Sequence, residues 1–140
     1  MINFRNKKGF TLIELLAAAA IFVFAMSAII LFFISCAFLN QANRNKSMAT
    51  IHAEFVAEDI MQYMRNNSLA SFEQGIAAWN WNNSTIASKC STVINDSEYI
   101  VTSYKTPVTD PLDITVTVKW KDSAQLNERN ISLKTLISKR

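Results

Sequence analysis

Residues 5–16 read RNKKGFTLIELL. Three positive charges, Arg5, Lys7 and Lys8, come first, then Gly9, then an apolar run that carries one acid, Glu14, four residues after Phe10. From Phe10 to Asn43 the only ionisable side chains are Glu14 and the thiol of Cys36, and Leu15 to Leu39 is almost wholly apolar. A bilayer core about 30 Å thick is crossed by roughly 20 such residues in a helix, so the run predicts a membrane span.

The charges outside the span are placed unevenly. The 140-residue chain has a formal net charge of +3, and Arg5, Lys7 and Lys8 carry all of it: the other 11 basic side chains are matched by 11 acidic ones. The basicity therefore belongs to the leader and is no sign of a nucleic-acid-binding head. By the positive-inside rule it keeps the N-terminus cytoplasmic and puts everything after the span outside. A secretory signal has an apolar stretch of about 7 to 15 residues followed by a small-residue cleavage site. This run is longer, and Ala17 to Ala20 lie too near its start to end such a stretch.

A plain signal anchor fits the length and orientation but gives no reason for Glu14, since a carboxylate at membrane depth costs a few kcal/mol or more and is usually partnered. Gly9, the only glycine before Gly75, stands where a flexible backbone can enter a protease. A cut between Gly9 and Phe10 creates an α-amino group, positive below a pKa of about 8. In a low dielectric that amine and the Glu14 carboxylate attract strongly. Within one chain they are a helical turn apart; between staggered copies the same pair sets the register of packing.

Lys8-Gly9-Phe10-Thr11-Leu12-Ile13-Glu14 resembles the class III signal of type IV pilins and pseudopilins. The resemblance implies a prepilin peptidase that cuts after Gly9 and N-methylates Phe10. It also implies assembly through Phe10, Thr11 and Glu14, with the acid paired to a neighbour's N-terminus. Basic leader, glycine, phenylalanine, acid and apolar helix all coincide in this chain, which makes the motif specific.

The remaining chain reads independently of that signal. No glycine or proline interrupts Phe10 to Gln74, so one helix is predicted through the span and beyond it, from about Phe10 to Arg65, roughly 80 Å at 1.5 Å per residue. After Leu39 it becomes amphipathic: Ala49, Ala53, Val56, Ile60 and Met64 form one apolar stripe, with Glu54, Glu58, Asp59 and Arg65 mostly off it. Asn66, Asn67 and Ser68 suggest its end, and Gly75 lies in the following connection. Glu98 to Lys105, Asp113 to Lys121 and Asn130 to Ser138 alternate as strands, with Ile114, Val116, Val118 and Trp120 facing inward. Pro107 and Pro111 fall in the first connection, and Asp122 to Arg129 makes a polar second one.

A three-strand antiparallel meander with one apolar face needs a cover, and the helix stripe is available. The expected fold is α+β and pilin-like. A cleaved leader spans 1–9, a transmembrane and assembly helix 10–39, an amphipathic continuation 40–65 and a periplasmic or extracellular head 66–140. The strand pattern from Val116 to Asp122 and from Arg129 to Thr135 is similar, more loosely, to minor pilins of the PilV type and to the I-type minor pseudopilin of type II secretion. Major pilins often carry a glycine and a proline in the membrane helix and a disulfide-closed loop near the C-terminus. None of these is present, which weakens a major-pilin assignment.

Other residues invite separate readings. Trp79 and Trp81, flanking Asn80, are a candidate surface binding patch or the cap of the head's own core. His52, the only histidine, reads as a helix-surface residue with no ligand set around it. Cys36 reads as a small apolar side chain and Cys90 as a buried thiol, with an intermolecular bridge through Cys90 as the alternative. The Asn-x-Ser/Thr triplets at Asn66, Asn83, Asn95 and Asn130 receive no function.

No phosphate loop, CxxC or serine elbow occurs, so no enzyme, catalytic residue, metal or cofactor is expected. The expected partners are prepilin peptidase, other pilin or pseudopilin subunits, an inner-membrane assembly platform and the lipid bilayer. The expected location is the inner membrane, with extraction into a filament on assembly. Two alternatives stand beside this reading: a signal-anchored periplasmic binding module that does not polymerise, and a competence pseudopilin for DNA uptake. The second predicts a basic patch, built for instance from Lys134, Lys139 and Arg140. Residues 66–140 carry 8 basic and 7 acidic side chains, so nucleic acid is not an expected partner.

Overall fold

The computed structural model describes residues 11–121 and 127–138. In chain order it has α1 (Leu12–Asn66), α2 (Leu69–Gly75), a 3₁₀ turn (Ile76–Trp79), α3 (Asn83–Cys90), β1 (Tyr99–Tyr104), β2 (Leu112–Lys121) and β3 (Glu128–Ile137). The fold is α+β and pilin-like, a long N-terminal helix followed by a three-stranded antiparallel sheet. The chain divides into two compact units between Gln41 and Ala42.

In the first unit α1 is apolar on every side, and its large side chains are exposed, Leu12, Phe24 and Leu39 among them. By length and composition it is a helix able to cross a membrane. Its two serines remain compatible with that use because each hydroxyl is satisfied within the helix: Ser27 Oγ donates to the Val23 carbonyl at 2.8 Å and Ser35 Oγ to that of Leu31 at 2.9 Å.

In the second unit the same helix buries one face only, through Ala49, His52, Ala53, Val56, Ala57, Ile60 and Met64. Alanines at 49, 53 and 57 recur one turn apart. They present little side chain and so allow close approach by whatever packs on them. One core cluster joins this face to Leu112, Ile114, Val116, Val118 and Trp120 of β2, Ile100 of β1 and Ile137 of β3. The helix ends at Asn66, one residue beyond the sequence expectation, where the Asn67 side chain donates back to the Tyr63 carbonyl at 3.0 Å.

The strands run β1-β2-β3 in one antiparallel sheet, with Ile100 opposite Val118 and Ile131 opposite Val118 on its other side. The alternation read from the sequence is the one observed along β2, where every second residue from Leu112 to Trp120 is buried. One boundary needs correcting. Glu128 and Arg129, expected in the second connection, belong to β3 and pair with Lys121 and Trp120, so the ladder extends further toward the turn than the apolar pattern reaches.

The segment expected to be a plain connection after Asn66 holds two short helices. Each is started by a side-chain cap: Ser68 Oγ accepts from Ser71 N–H at 3.3 Å, and Asn82 Oδ1 accepts from Thr85 N–H at 2.9 Å. Between them, Phe72 stacks on Trp79 at 5.3 Å between ring centroids, and Tyr63 meets Trp79 edge-on at 4.9 Å. Phe72 and Trp79 belong to the same core cluster as Met64, and Tyr63 packs against it.

Ile60 is fully buried, so Ile60→Ala is expected to cost the second unit about 2–5 kcal/mol. Trp79, Trp81 and Trp120 all lie in that unit, and their fluorescence during chemical unfolding reads the loss. Leu136→Ala, at a position 66 % exposed, is expected to change it by less than about 0.5 kcal/mol; equal effects of the two would contradict the assigned core.

Candidate functional site

The start of α1 is built by Thr11 and Glu14. Thr11 N–H donates to Glu14 Oε2 at 2.9 Å, the Thr11 hydroxyl donates to the same oxygen at 3.0 Å, and Glu14 N–H donates back to Thr11 Oγ1 at 3.3 Å. Leu15 N–H closes on the Thr11 carbonyl at 3.2 Å. This is a capping box, in which threonine and an acid three residues later satisfy backbone amides that the first helical turn leaves open. Thr-x-x-Glu announces it in the sequence, a signal separate from the charge of Glu14 on which the expectation above rests. The correction is physical: the acid has a local partner in Thr11 before any second chain is invoked. The positive end of the helix dipole also favours a carboxylate there. The second oxygen, Oε1, has no hydrogen-bond partner among the described residues. Arg5, Lys7, Lys8, Gly9 and Phe10 lie outside the described residues.

Trp79 and Trp81 do not form a surface patch. They are 4 % and 2 % exposed, and the segment seals an edge of the sheet. Trp81 N–H donates to the Ile100 carbonyl at 2.9 Å and Ile100 N–H returns the bond at 2.8 Å. Asn80 Oδ1 accepts from Thr102 N–H at 2.9 Å, and the Thr102 hydroxyl donates to the Trp79 carbonyl at 3.0 Å. The indole of Trp81 donates to the Ala78 carbonyl at 2.9 Å. Pairing of this backbone with β1 turns both indoles toward the core, which favours capping the core over a receptor-facing role.

His52 is likewise corrected, from helix surface to core. It is 1 % exposed, and its Nδ1 lies 2.7 Å from Oε1 of Glu98, itself 1 % exposed. The other carboxylate oxygen accepts from Ile94 N–H at 2.7 Å, and His52 Nε2 lies 3.4 Å from Thr92 Oγ1. A histidine among apolar stripe residues is tolerated because every polar atom around it is satisfied. The partner is 46 residues away in sequence, so no local spacing announces it. Cys90 is half-buried and free; burial first, then the Glu98 carboxylate, push its thiol up, against a smaller opposing effect of Lys89. That shift lowers its thiolate fraction and fits a structural thiol. Cys36 is free and exposed on the apolar helix.

The basic residues of the second unit are interleaved with acids. Lys134 Nζ lies 3.2 Å from Asp113, Lys119 Nζ 3.1 Å from Glu128 and Lys89 Nζ 3.5 Å from Asp59. Lys139 and Arg140 lie outside the described residues. Among the described residues no group of three His, Cys, Asp or Glu side chains is placed to hold a metal ion.

Residues 4–30 match the family described as the prokaryotic N-terminal methylation motif. This is the class III signal of type IV pilins and pseudopilins, and it supports that family for the chain without separating its subtypes. No curated protein and no solved structure matches the chain.

The His52–Glu98 pair generates a test of its own. Glu98→Ala leaves His52 and Ile94 N–H buried without their acceptor and is expected to cost about 3–5 kcal/mol of stability. Adding His52→Ala to it is expected to cost less than the two single losses combined, by about 1–3 kcal/mol. Tryptophan-monitored unfolding of the three variants measures the coupling, and strict additivity would show that the two side chains do not depend on each other.

Proposed function

We propose, with residues 4–30 as the N-terminal methylation motif, that this chain is a precursor whose Gly9–Phe10 bond is cut by a prepilin peptidase. Phe10 is then N-methylated, and the subunit is stacked with other pilin-type subunits into a type IV pilus or a type II secretion pseudopilus. The observation that carries the reading is a coincidence at one helix end. The motif leads into a helix that is apolar on every side as far as Gln41, and the one acid of that apolar stretch, Glu14, sits in its first turn.

In this reading residues 1–9 are the leader, 10–39 the span, 40–65 the amphipathic continuation and 66–140 the head. Arg5, Lys7 and Lys8 hold the leader in the cytoplasm, and the chain waits in the inner membrane with its head outside. Cleavage exposes the Phe10 amine. Apolar helices gain little from mutual burial in lipid, so packing and a specific charge pair have to provide selectivity between subunits. Ala17 to Ala20 give a narrow surface for close approach. Glu14, held by Thr11 through one oxygen, offers the other to a neighbour's terminal amine, and that contact transfers the subunit from lipid to filament at the inner-membrane assembly platform.

The motif points to a structural subunit rather than an enzyme. Among subtypes, a minor pilin of the PilV type or an I-type minor pseudopilin is favoured by the strand pattern after Val116 and by the absence of a disulfide-closed C-terminal loop. DNA uptake is disfavoured because Lys89, Lys119 and Lys134 are each engaged by an acid. A signal anchor that never polymerises would leave Gly9 uncut.

The mass of the mature N-terminus tests processing: methylated Phe10 is expected, and Gly9→Leu is expected to retain the leader. An intact Met1 terminus on the working protein would overturn the proposal. Glu14→Ala tests assembly separately. It is expected to leave the protein in the membrane while lowering its recovery in sheared filaments by about 30-fold or more, the loss associated with removing one partner of a desolvated charge pair. Wild-type recovery would remove Glu14 from the assembly contact.

A further inference from the structure

The first residues of the second unit carry charges that the head does not use. Asn43, Arg44, Asn45, Lys46 and Ser47 come soon after the apolar run, which ends at Leu39. Arg44 and Lys46 are exposed, and among the described residues neither side chain has a hydrogen-bond or ion-pair partner. Lys89, Lys119 and Lys134, by contrast, are each engaged by an acid. No acid stands near the pair in sequence either: from Leu15 to Ala53 the chain has no Asp or Glu. The segment is a polar step whose only charges are positive.

Two features narrow what such a step fits. Residues two apart on an α-helix point about 200° apart at 3.6 residues per turn, so Arg44 and Lys46 project from opposite sides of α1. A folded partner seated on one side reaches one of the two cations, whereas a layer that surrounds the helix reaches both. The second feature is where the cations stand. By the positive-inside rule, basic residues just past a span on its translocated side oppose export, and Arg5, Lys7 and Lys8 have to outweigh them. A cationic pair kept in that position points to an anionic counterpart on the outer side.

We propose that Arg44 and Lys46 bind the phosphates of anionic phospholipids in the leaflet on the head's side, as a collar that sets the depth of the chain in the membrane. The proposal rests on the span and orientation of the reading above and is independent of polymerisation. Arg44 stands five residues past Leu39, close enough to the end of the apolar run for long cationic side chains to reach a headgroup layer. The arginine fork takes a phosphate through two parallel N–H bonds, and the lysine ammonium acts as a point charge. The side-chain amides of Asn43 and Asn45 add neutral donors beside them. The collar holds the waiting subunit at one depth, and releasing these phosphates is part of the work of withdrawing it from the bilayer.

The test uses the full chain in vesicles of phosphatidylcholine and phosphatidylglycerol mixed in equal parts. With Cys36→Ala and Cys90→Ala as background, Ala42→Cys carries a fluorophore beside the collar. A nitroxide is attached to phosphatidylglycerol in one sample and to phosphatidylcholine in the other, and contact quenching reads which lipid lies there. Quenching by phosphatidylglycerol is expected to exceed that by phosphatidylcholine about fivefold in dilute salt, the scale of one Lys or Arg at an anionic surface. The preference is expected to shrink toward parity in about 1 M salt, where the screening length is near 3 Å. R44Q/K46Q is expected to reach parity in dilute salt and R44K to keep most of the preference, with tryptophan fluorescence confirming that both variants are folded. Equal quenching by the two lipids in the unsubstituted collar, or a preference that R44Q/K46Q retains, overturns the proposal. Inorganic phosphate that erases the preference at constant ionic strength overturns the choice of lipid as the source of phosphate. A protein that does not float with the vesicles overturns the span together with this inference. A floating protein without preference overturns this inference alone and leaves the processing and assembly reading intact.

Discussion

The architecture depends on one constraint: a single helix without glycine or proline has to be apolar on every side in its first half and on one side only in its second. The first requirement is met by composition alone, since Leu15 to Leu39 has no charged side chain. The second is met by position. Ala49, Ala53 and Ala57 keep one face low, while Val56, Ile60 and Met64 fill the space beside it. A three-stranded sheet with one apolar face is only marginally stable without a cover. The helix stripe is therefore a structural condition for the head as well as its connection to the rest of the chain.

Two polar devices finish what the stripe begins. Glu98 bonds to His52 on α1 with one oxygen and to the Ile94 amide with the other, so the loop before β1 is fixed to the helix by a single side chain. The other ring nitrogen, Nε2, lies 3.4 Å from Thr92 Oγ1, so both nitrogens of the buried imidazole have a polar neighbour. At the sheet's β1 edge, Trp81 pairs with Ile100 and Asn80 satisfies Thr102. The far edge of β3 pairs with no strand among the described residues. Glu128, Arg129 and Lys134 lie along it, the kind of charges that discourage edge-to-edge association.

What the sequence disclosed follows the range of each interaction. Alternation from Leu112 to Trp120 and the four-and-three stripe are local periodicities, so both β2 and the buried helix face were readable. α2 and α3 are too short to show a period, and their caps at Ser68 and Asn82 lack the acid or glutamine that would have marked them. His52 was misread because its burial depends on Glu98, far along the chain, and polarity alone argued for the surface. Trp79 and Trp81 carried both readings until strand pairing oriented them. Thr11 and Glu14 are different: their Thr-x-x-Glu spacing contains the cap, and the same carboxylate also carries the cost of a charge at membrane depth.

The cap changes how Glu14 has to be understood at the candidate site. A carboxylate has about four acceptor positions, and Thr11 uses those of Oε2, so capping and pairing with a second chain are compatible. The position of the proposed cut preserves that compatibility. Thr11 donates through its own backbone amide, and removing residues 1–9 leaves this amide in place because Phe10 still precedes it. A cut one residue later would turn the capping amide into the chain terminus and make the helix start and the terminal charge the same group. With Phe10 between them, the charge proposed to meet a neighbour's acid is separate from the donor that holds the chain's own. One carboxylate can then order its helix before assembly and engage a partner during it.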